Sequence, residues 1–247
     1  MRTLRLNRPA SRNALSVPLR AALMAALAGA AADPDVRCVI LRGDQRAFCA
    51  GGDVKSMDPS EAPLATVRRM DAAGAMVRAV YDLPKPVIAA VEGPAVGAGF
   101  SLALASDIVI ASDSATFGAA FVKRGLVPDT GLSYLLARSI GVARTKYLVM
   151  TGEMFGAEAA EAMGIVAVRC GTAEFEDRLA ALASSLAAGA TGALGMAKRM
   201  LNRALETDLE SALTLEAFGQ AVARTTEDHK ASVRSFKAKE PPHFTGR

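Results

Sequence analysis

The sequence has no tryptophan and only three tyrosines, three cysteines and two histidines in 247 residues. Each scarcity excludes something. Cys38, Cys49 and Cys170 are odd in number and far apart, so they form neither a disulfide framework nor the closely spaced ligand set of a zinc site. Cys38 and Cys170 stand in apolar, strand-like runs where a buried structural thiol is expected. No metal site is expected. His229 and His243 both fall near the C-terminus, which argues against a Ser-His-Asp triad. No uninterrupted apolar run approaches the ~18 residues of a membrane span, and the four arginines among residues 1–12 accompany no apolar signal core. The expected compartment is the cytoplasm. A net charge of +4 is small for this length, and no dense basic patch with interleaved aromatics marks a nucleic-acid surface. Lys198-Arg199 and residues 230–239 concentrate positive charge, which suits a solvated helix face or, less simply, an anionic ligand.

What is present is alanine-rich, half apolar and punctuated by glycine and proline. Short β-branched runs predict buried strands over 3–6, 36–41, 87–91, 107–111 and 165–169. Ser16 predicts a helix cap with Pro18 tolerated in the first turn, the helix stopping by Asp33-Pro34. Further helices are expected over 64–81, just after Gly99, and over 132–140, 141–150 and 157–163. Residues 117–121 and 125–129 read as irregular apolar loops, and the polar stretch 56–63 as a loop long enough to cover a site. From about residue 172 onward only helical periodicity remains. The expected organisation is an α/β core over 1–188 followed by an all-helical arm over 189–247. Such an arm must bury its apolar face, so a homo-oligomer is expected.

Two glycine turns each follow a strand: Ala47-Phe48-Cys49-Ala50-Gly51-Gly52-Asp53-Val54 and Val91-Glu92-Gly93-Pro94-Ala95-Val96-Gly97-Ala98-Gly99. The second starts a G-x-G pattern, but Leu102 occupies the third small position, and about seven residues are too few for a βαβ crossover, so a dinucleotide fold is excluded. Ser101, in Gly99-Phe100-Ser101-Leu102-Ala103, is no nucleophile elbow. Two turns that each aim one backbone N–H at a common oxygen have the makings of an oxyanion hole for an enolate or tetrahedral intermediate.

At this point the sequence resembles the crotonase (enoyl-CoA hydratase/isomerase) superfamily. The resemblance is carried by Asn7-Arg8-Pro9 with Arg12-Asn13-Ala14-Leu15, by Phe48-Cys49-Ala50-Gly51-Gly52-Asp53, by the segment from Pro86 through Gly99, by Ser106-Asp107-Ile108-Val109-Ile110-Ala111, and by His243-Phe244-Thr245-Gly246-Arg247. It implies a spiral of strand-strand-helix units, a C-terminal trimerisation arm, and homotrimers that often pair into hexamers. It also implies an acyl-CoA substrate whose thioester oxygen is held by the N–H groups of Gly52 and Ala98, with CoA being part of the substrate and no separate cofactor needed. Arg12, Ala14, Ala50, Gly52, Asp53, Val54, Ala98 and Phe121 fall at substrate- or CoA-contacting positions. Family members usually carry one more strand before residues 3–6, so either the start is truncated or the first turn of the spiral is incomplete.

The departures bear on the reaction. Ser101 and Phe121 stand where the hydratases carry their two glutamates, and neither can act as a carboxylate acid or base. Asp129 occupies a position used for the catalytic acid in some isomerases and for the nucleophile in 4-chlorobenzoyl-CoA dehalogenases. The dehalogenase histidine has no counterpart, because Gly74 stands there. The small residues after Gly99, the run Gly125-Leu126-Val127-Pro128-Asp129 and the Phe244-Thr245-Gly246 tail are similar to the isomerases that act on ring-1,2-epoxyphenylacetyl-CoA. Asp129 before Thr130-Gly131-Leu132 is also a natural helix N-cap. The missing glutamates favour its reading as the proton carrier of a thioester isomerase. A hydratase with an unusual acid/base and a non-catalytic acyl-CoA-binding protein are the alternatives. Asp53 and Glu92 read as turn residues, and Tyr81, Tyr134 and Tyr147 as core or helix-surface residues.

Overall fold

The computed structural model describes residues 1–53 and 60–247. Val54 and residues 56–59 of the expected covering loop therefore lie outside the described residues. The first strand, β1 (Arg2–Arg5), pairs in parallel with β2 (Val39–Arg42), and β2 with β3 (Val87–Val91). β3 pairs in parallel with β5 (Ile108–Ser112), and β5 with β8 (Val168–Cys170). β2 and β3 are buried along their whole length. Strands covered on both faces read as continuous apolar runs, which is why β3 is legible residue for residue.

Three strands belong to a second sheet that the sequence reading does not contain. β4 (Pro94–Val96) pairs in parallel with β6 (Thr116–Gly118), which pairs antiparallel with β7 (Met154–Gly156). The 117–121 stretch is therefore not simply a loop: it enters as a strand and leaves as a short 3-10 helix, Ala120–Arg124. The last strand also begins later than the run 165–169, because Ile165 and Val166 are buried in the main core without joining the ladder.

The helices follow their local signals. Ser16 accepts from Leu19 N at the start of α1 (Val17–Ala32), and Pro63 opens α2 (Pro63–Tyr81), where a missing N–H is harmless. α3 (Ala98–Ala105) leaves the second glycine turn and is almost entirely buried. α4 (Leu132–Ile140), α5 (Val142–Thr151) and α6 (Ala157–Ala162) close the core on its far side. One core fills the space between the large sheet, α1, α2, α3 and α4, with Phe48, Phe100 and Phe117 at its centre. A second lies on the other face of that sheet, where Phe175, Leu179 and Ala183 of α7 (Phe175–Ala188) cover Cys38, Ile40, Ile88 and Ile110.

α8 (Thr191–Arg203) is bound to the core by specific contacts: a Cβ on Gly195 would lie 2.5 Å from Pro84 O. Lys198, expected on a solvated face, is buried; its Nζ meets Asp107 Oδ2 at 3.0 Å and Val80 O at 3.1 Å. Glu92 is likewise no simple turn residue. It is 5% exposed and paired at 3.0 Å with Arg42, which also holds Glu176. The last helices, α9 (Leu209–Ala223) and α10 (Glu227–Ala238), differ: α9 buries none of its residues and exposes Leu209, Leu213, Phe218 and Val222. The tail is pinned, since Asp228 accepts from the N–H groups of Thr245 and Gly246, and Arg37 donates to Phe244 O. Among the described residues, no single helix is long and apolar enough to cross a membrane.

Candidate functional site

The two glycine turns are laced together. Beyond β2, Cys49 forms a parallel bridge with Ala95 of β4: its N–H donates to Pro94 O (3.0 Å) and its carbonyl accepts from Val96 N (2.9 Å). Ala50 N donates to Arg12 O (2.9 Å), and Leu15 N to Gly51 O (2.8 Å). Asn13, fully buried, adds a side-chain bond to Ala47 O at 2.8 Å. The N-terminal segment thus fixes the first turn from below, while β4 fixes it from the side.

Glycine is required where these turns touch. Gly51 has φ +96°, and a Cβ there would lie 2.8 Å from Val96 O and 3.6 Å from Ala98 N. At Gly99 a Cβ would lie 2.2 Å from Cys49 O, closer than any real contact. The missing side chains let α3 rest end-on against the first turn. Gly97 N donates to Gly118 O (2.9 Å), and Ala98 is the first residue of α3, where a helix leaves its N–H unpaired. Among the described residues, neither Gly52 N–H nor Ala98 N–H donates to a backbone carbonyl.

Both residues line one cavity of about 320 Å³. Asp129, Ala50, Asp53 and Phe121 line it too, so most of the expected site residues are brought together. Arg12 and Ala14 are not among the lining residues; Arg12 is exposed and Ala14 buried beneath the turn. Asp53 is paired with Arg8 at 2.9 Å, and Arg8 also donates to Ala14 O, so this carboxylate fastens the first turn to the N-terminal segment. A larger cavity of about 760 Å³, between α2, α4 and α8, shares Thr130 with the first but contains neither glycine turn.

Asp129 is not a helix cap. α4 starts at Leu132 behind Gly131, and no side chain caps it; Leu132 N donates to the backbone oxygen of Asp129. Thr130 at φ +51° turns the chain between them. The Asp129 side chain instead accepts from Thr130 Oγ1 (3.1 Å), which also lies 2.9 Å from Ser101 Oγ. Burial raises the Asp129 carboxyl above its ordinary pKa, opposed by the Thr130 hydroxyl and by the charges of Arg69 and Arg20. Cys49, under the first turn, is no nucleophile, because burial pushes its thiol up to about 12.

The sequence reading missed the cations of this cavity: Arg20, Arg69, Lys123 and Arg124. Two of them carried a signal. Arg20 precedes buried Leu23 by three residues, and Arg69 precedes buried Ala73 by four, so each sits on the apolar stripe of its helix, where a charge needs a reason. Arg69 meets Glu61 at 2.8 Å, while its Nε is buried without a hydrogen-bond partner among the described residues.

A family model described as enoyl-CoA hydratase/isomerase matches residues 2–247 of the chain. The chain is 39% identical over 242 residues to a probable enoyl-CoA hydratase of Rhodobacter capsulatus, covering 98% of this chain and 93% of that one. It is also 39% identical over 248 residues to the 1,2-epoxyphenylacetyl-CoA isomerase of Escherichia coli, covering 99% and 95%. Among solved structures, an enoyl-CoA hydratase from Bacillus anthracis superposes with a TM-score of 0.93 at 30% identity, covering 99% of this chain and 95% of that one. An enoyl-CoA hydratase/isomerase from Cupriavidus metallidurans gives 0.94 at 36% identity, covering 99% and 92%.

Proposed function

The chain belongs to the enoyl-CoA hydratase/isomerase family, with the crotonase fold, and from that premise we propose that it is an acyl-CoA thioester isomerase. In this reading Gly52 N–H and Ala98 N–H receive the thioester oxygen. The Asp129 carboxylate takes the proton from carbon 2 of a 3-enoyl thioester. The electron pair moves into the carbonyl, giving a dienolate whose oxygen the two N–H groups stabilise, and the proton returns at carbon 4. Each donor of such a pair contributes about 3 kcal/mol to the transition state. Opening of an epoxide conjugated to the acyl group would use the same enolate.

One observation carries the reading: Asp129 lines the same cavity as both undonated N–H groups, is freed from capping α4, and has a carboxyl pKa raised by burial. A raised pKa brings a carboxylate nearer to balanced proton uptake and release at neutral pH. The other lining carboxylate, Asp53, is committed to Arg8. The two positions at which the family's hydratases use glutamate hold Ser101 and Phe121, so among the described lining residues a water molecule has no second uncommitted carboxylate to activate it.

Hydratase activity is the second reading, favoured by the equal identity to a probable enoyl-CoA hydratase. The two separate on substrate: the isomerase reading expects 3-hexenoyl-CoA to become the conjugated 2-enoyl thioester faster than crotonyl-CoA gains water, and the reverse order refutes it. For assembly, we propose that residues 189–247 form the oligomerisation region of a homotrimer or hexamer, supported by the exposed apolar residues of α9. Light scattering that returned a monomer at micromolar concentration would contradict that.

A further inference from the structure

Asp129, Thr130, Ser101 and Gly97 form a chain of oxygens: Asp129 Oδ1 to Thr130 Oγ1 is 3.1 Å, Thr130 Oγ1 to Ser101 Oγ is 2.9 Å, and Ser101 Oγ to Gly97 O is 3.4 Å. Thr130 has one hydroxyl proton and two acceptors within reach, Asp129 Oδ1 and Ser101 Oγ, while the Ser101 hydroxyl donates to Gly97 O. The chain therefore has two self-consistent arrangements. With Asp129 ionised, Thr130 donates to the carboxylate, the charge-assisted arrangement, and Ser101 donates to Gly97 O without receiving a proton from Thr130. With Asp129 protonated, the carboxyl can donate to Thr130, Thr130 to Ser101, and Ser101 to Gly97 O.

The far end of this chain is the oxyanion site. The Gly97 carbonyl and the Ala98 N–H belong to one conjugated peptide group, so a donor on that oxygen draws charge from the nitrogen and strengthens its N–H as a donor. Cooperative strengthening of this kind amounts to perhaps 10–30% per bond. Ser101 is fully buried, and its hydroxyl has no partner outside this chain among the described residues. Thr130 is held at φ +51°, a conformation that β-branched residues avoid. Strain of this kind persists where the surroundings over-determine it.

We propose that Thr130 and Ser101 are positioning residues that form a reversible hydroxyl relay, coupling the protonation state of Asp129 to the strength of the Ala98 N–H donor. This rests on the isomerase reading above. No proton passes along the relay; the hydroxyls only rotate. When the substrate proton arrives on Asp129, the Thr130 hydroxyl turns to Ser101, whose bond to Gly97 O strengthens cooperatively, and the oxyanion donor strengthens at the moment the enolate forms. When the proton leaves, Thr130 turns back and the carboxylate regains its hydrogen bond.

The charged groups around Asp129 are Arg69 from α2 and Arg20 from α1, with Asp53, Lys123 and Arg124 elsewhere on the cavity wall. They are unchanged by substitutions at Thr130, so a shift seen there reports the hydroxyl. Thr130→Val removes a bond that stabilises the anion, which raises the Asp129 pKa by about one unit or more. The acid limb of kcat/KM moves up by the same amount, KM changes little, and Thr130→Ser restores the wild-type profile. Ser101→Ala lowers kcat several-fold, and the double variant is no slower than the slower single one, because both cut one chain.

The Asp129 pKa is also read directly, from the carbon-13 shift of labelled aspartate in wild type, Thr130→Val and the reference variant Asp129→Asn. An unmoved Asp129 resonance in folded Thr130→Val, or single effects that simply add, overturns the relay. Undiminished isomerisation by Asp129→Asn overturns the assignment of Asp129 as the proton carrier instead, and the carbon-13 titration still decides whether the hydroxyl couples to the carboxylate.

Discussion

Replacing Gly51 by alanine separates the geometry of the first turn from its mere presence. The residue has φ +96°, and the new Cβ would stand 2.8 Å from Val96 O and 3.6 Å from Ala98 N, between the two turns. Backbone strain at positive φ costs about 1–2 kcal/mol, and overpacking against a backbone oxygen adds about 1–3 kcal/mol. The sum, on the order of 2–5 kcal/mol, lowers Tm by roughly 4–20 °C in a chain of this size. Relief of the contact moves the adjoining Gly52 N–H away from Ala98 N–H. Losing one such donor slows the chemical step by about 10²–10³-fold. Gly141→Ala is the control: φ is +79°, nothing lies within 4 Å of its Cβ, and the site is the junction of α4 and α5. It bears similar strain without the clash. The assay measures Tm by calorimetry and kcat on a 3-enoyl-CoA for both variants. The reasoning is refuted if Gly51→Ala turns over normally while losing stability, or if Gly141→Ala loses kcat to the same extent.

Arg42→Met leaves Glu92 buried and unpaired, so it should destabilise the fold by about 3–5 kcal/mol, read as a lower denaturation midpoint; a change under about 1 kcal/mol would mean Glu92 finds another partner. All three cysteines are buried, with Cys38 raised to about 11 and Cys49 to about 12. A thiol reagent at pH 8 should therefore label none in the native protein and all three in denaturant. Asp129 has its folded pKa raised by burial. Its ionised form is the active base, so kcat/KM should fall as pH drops through that raised value. By linkage, its contribution to stability is full below the unfolded pKa and is lost as pH rises through the folded one. Asp129→Asn should consequently be no less stable than wild type at neutral pH, and a marked loss of Tm there would count against the burial argument.

Legibility in the sequence followed the range of the interaction that decides each element. β3 and α4 were read to the residue because continuous apolar burial and helical periodicity are local signals. The Ser16 cap is local as well. β4, β6 and β7 are three residues each, too short for an alternation to repeat, and exist only because partners distant in sequence complete their ladders. Glu92 reads as a simple turn residue and Lys198 as solvated because their partners, Arg42 and Asp107, are 50 and 91 residues away. Both glycine turns were legible from composition. The cap alternative for Asp129 failed for a conformational reason: Thr130 and Gly131, both at positive φ, carry the chain through a turn before α4 begins, so the side chain faces the cavity rather than the helix end.

The central claim is that Asp129 moves a proton at the carbon beside a thioester held by Gly52 and Ala98. Its most direct test is solvent-deuterium exchange at carbon 2 of a saturated acyl-CoA, which needs no double bond and no net reaction. Mass spectrometry should find deuterium incorporated by the wild-type protein, and exchange reduced at least 10²-fold in folded, CoA-binding Asp129→Asn. Exchange at the wild-type rate in that variant, or none in the wild type, would contradict the account.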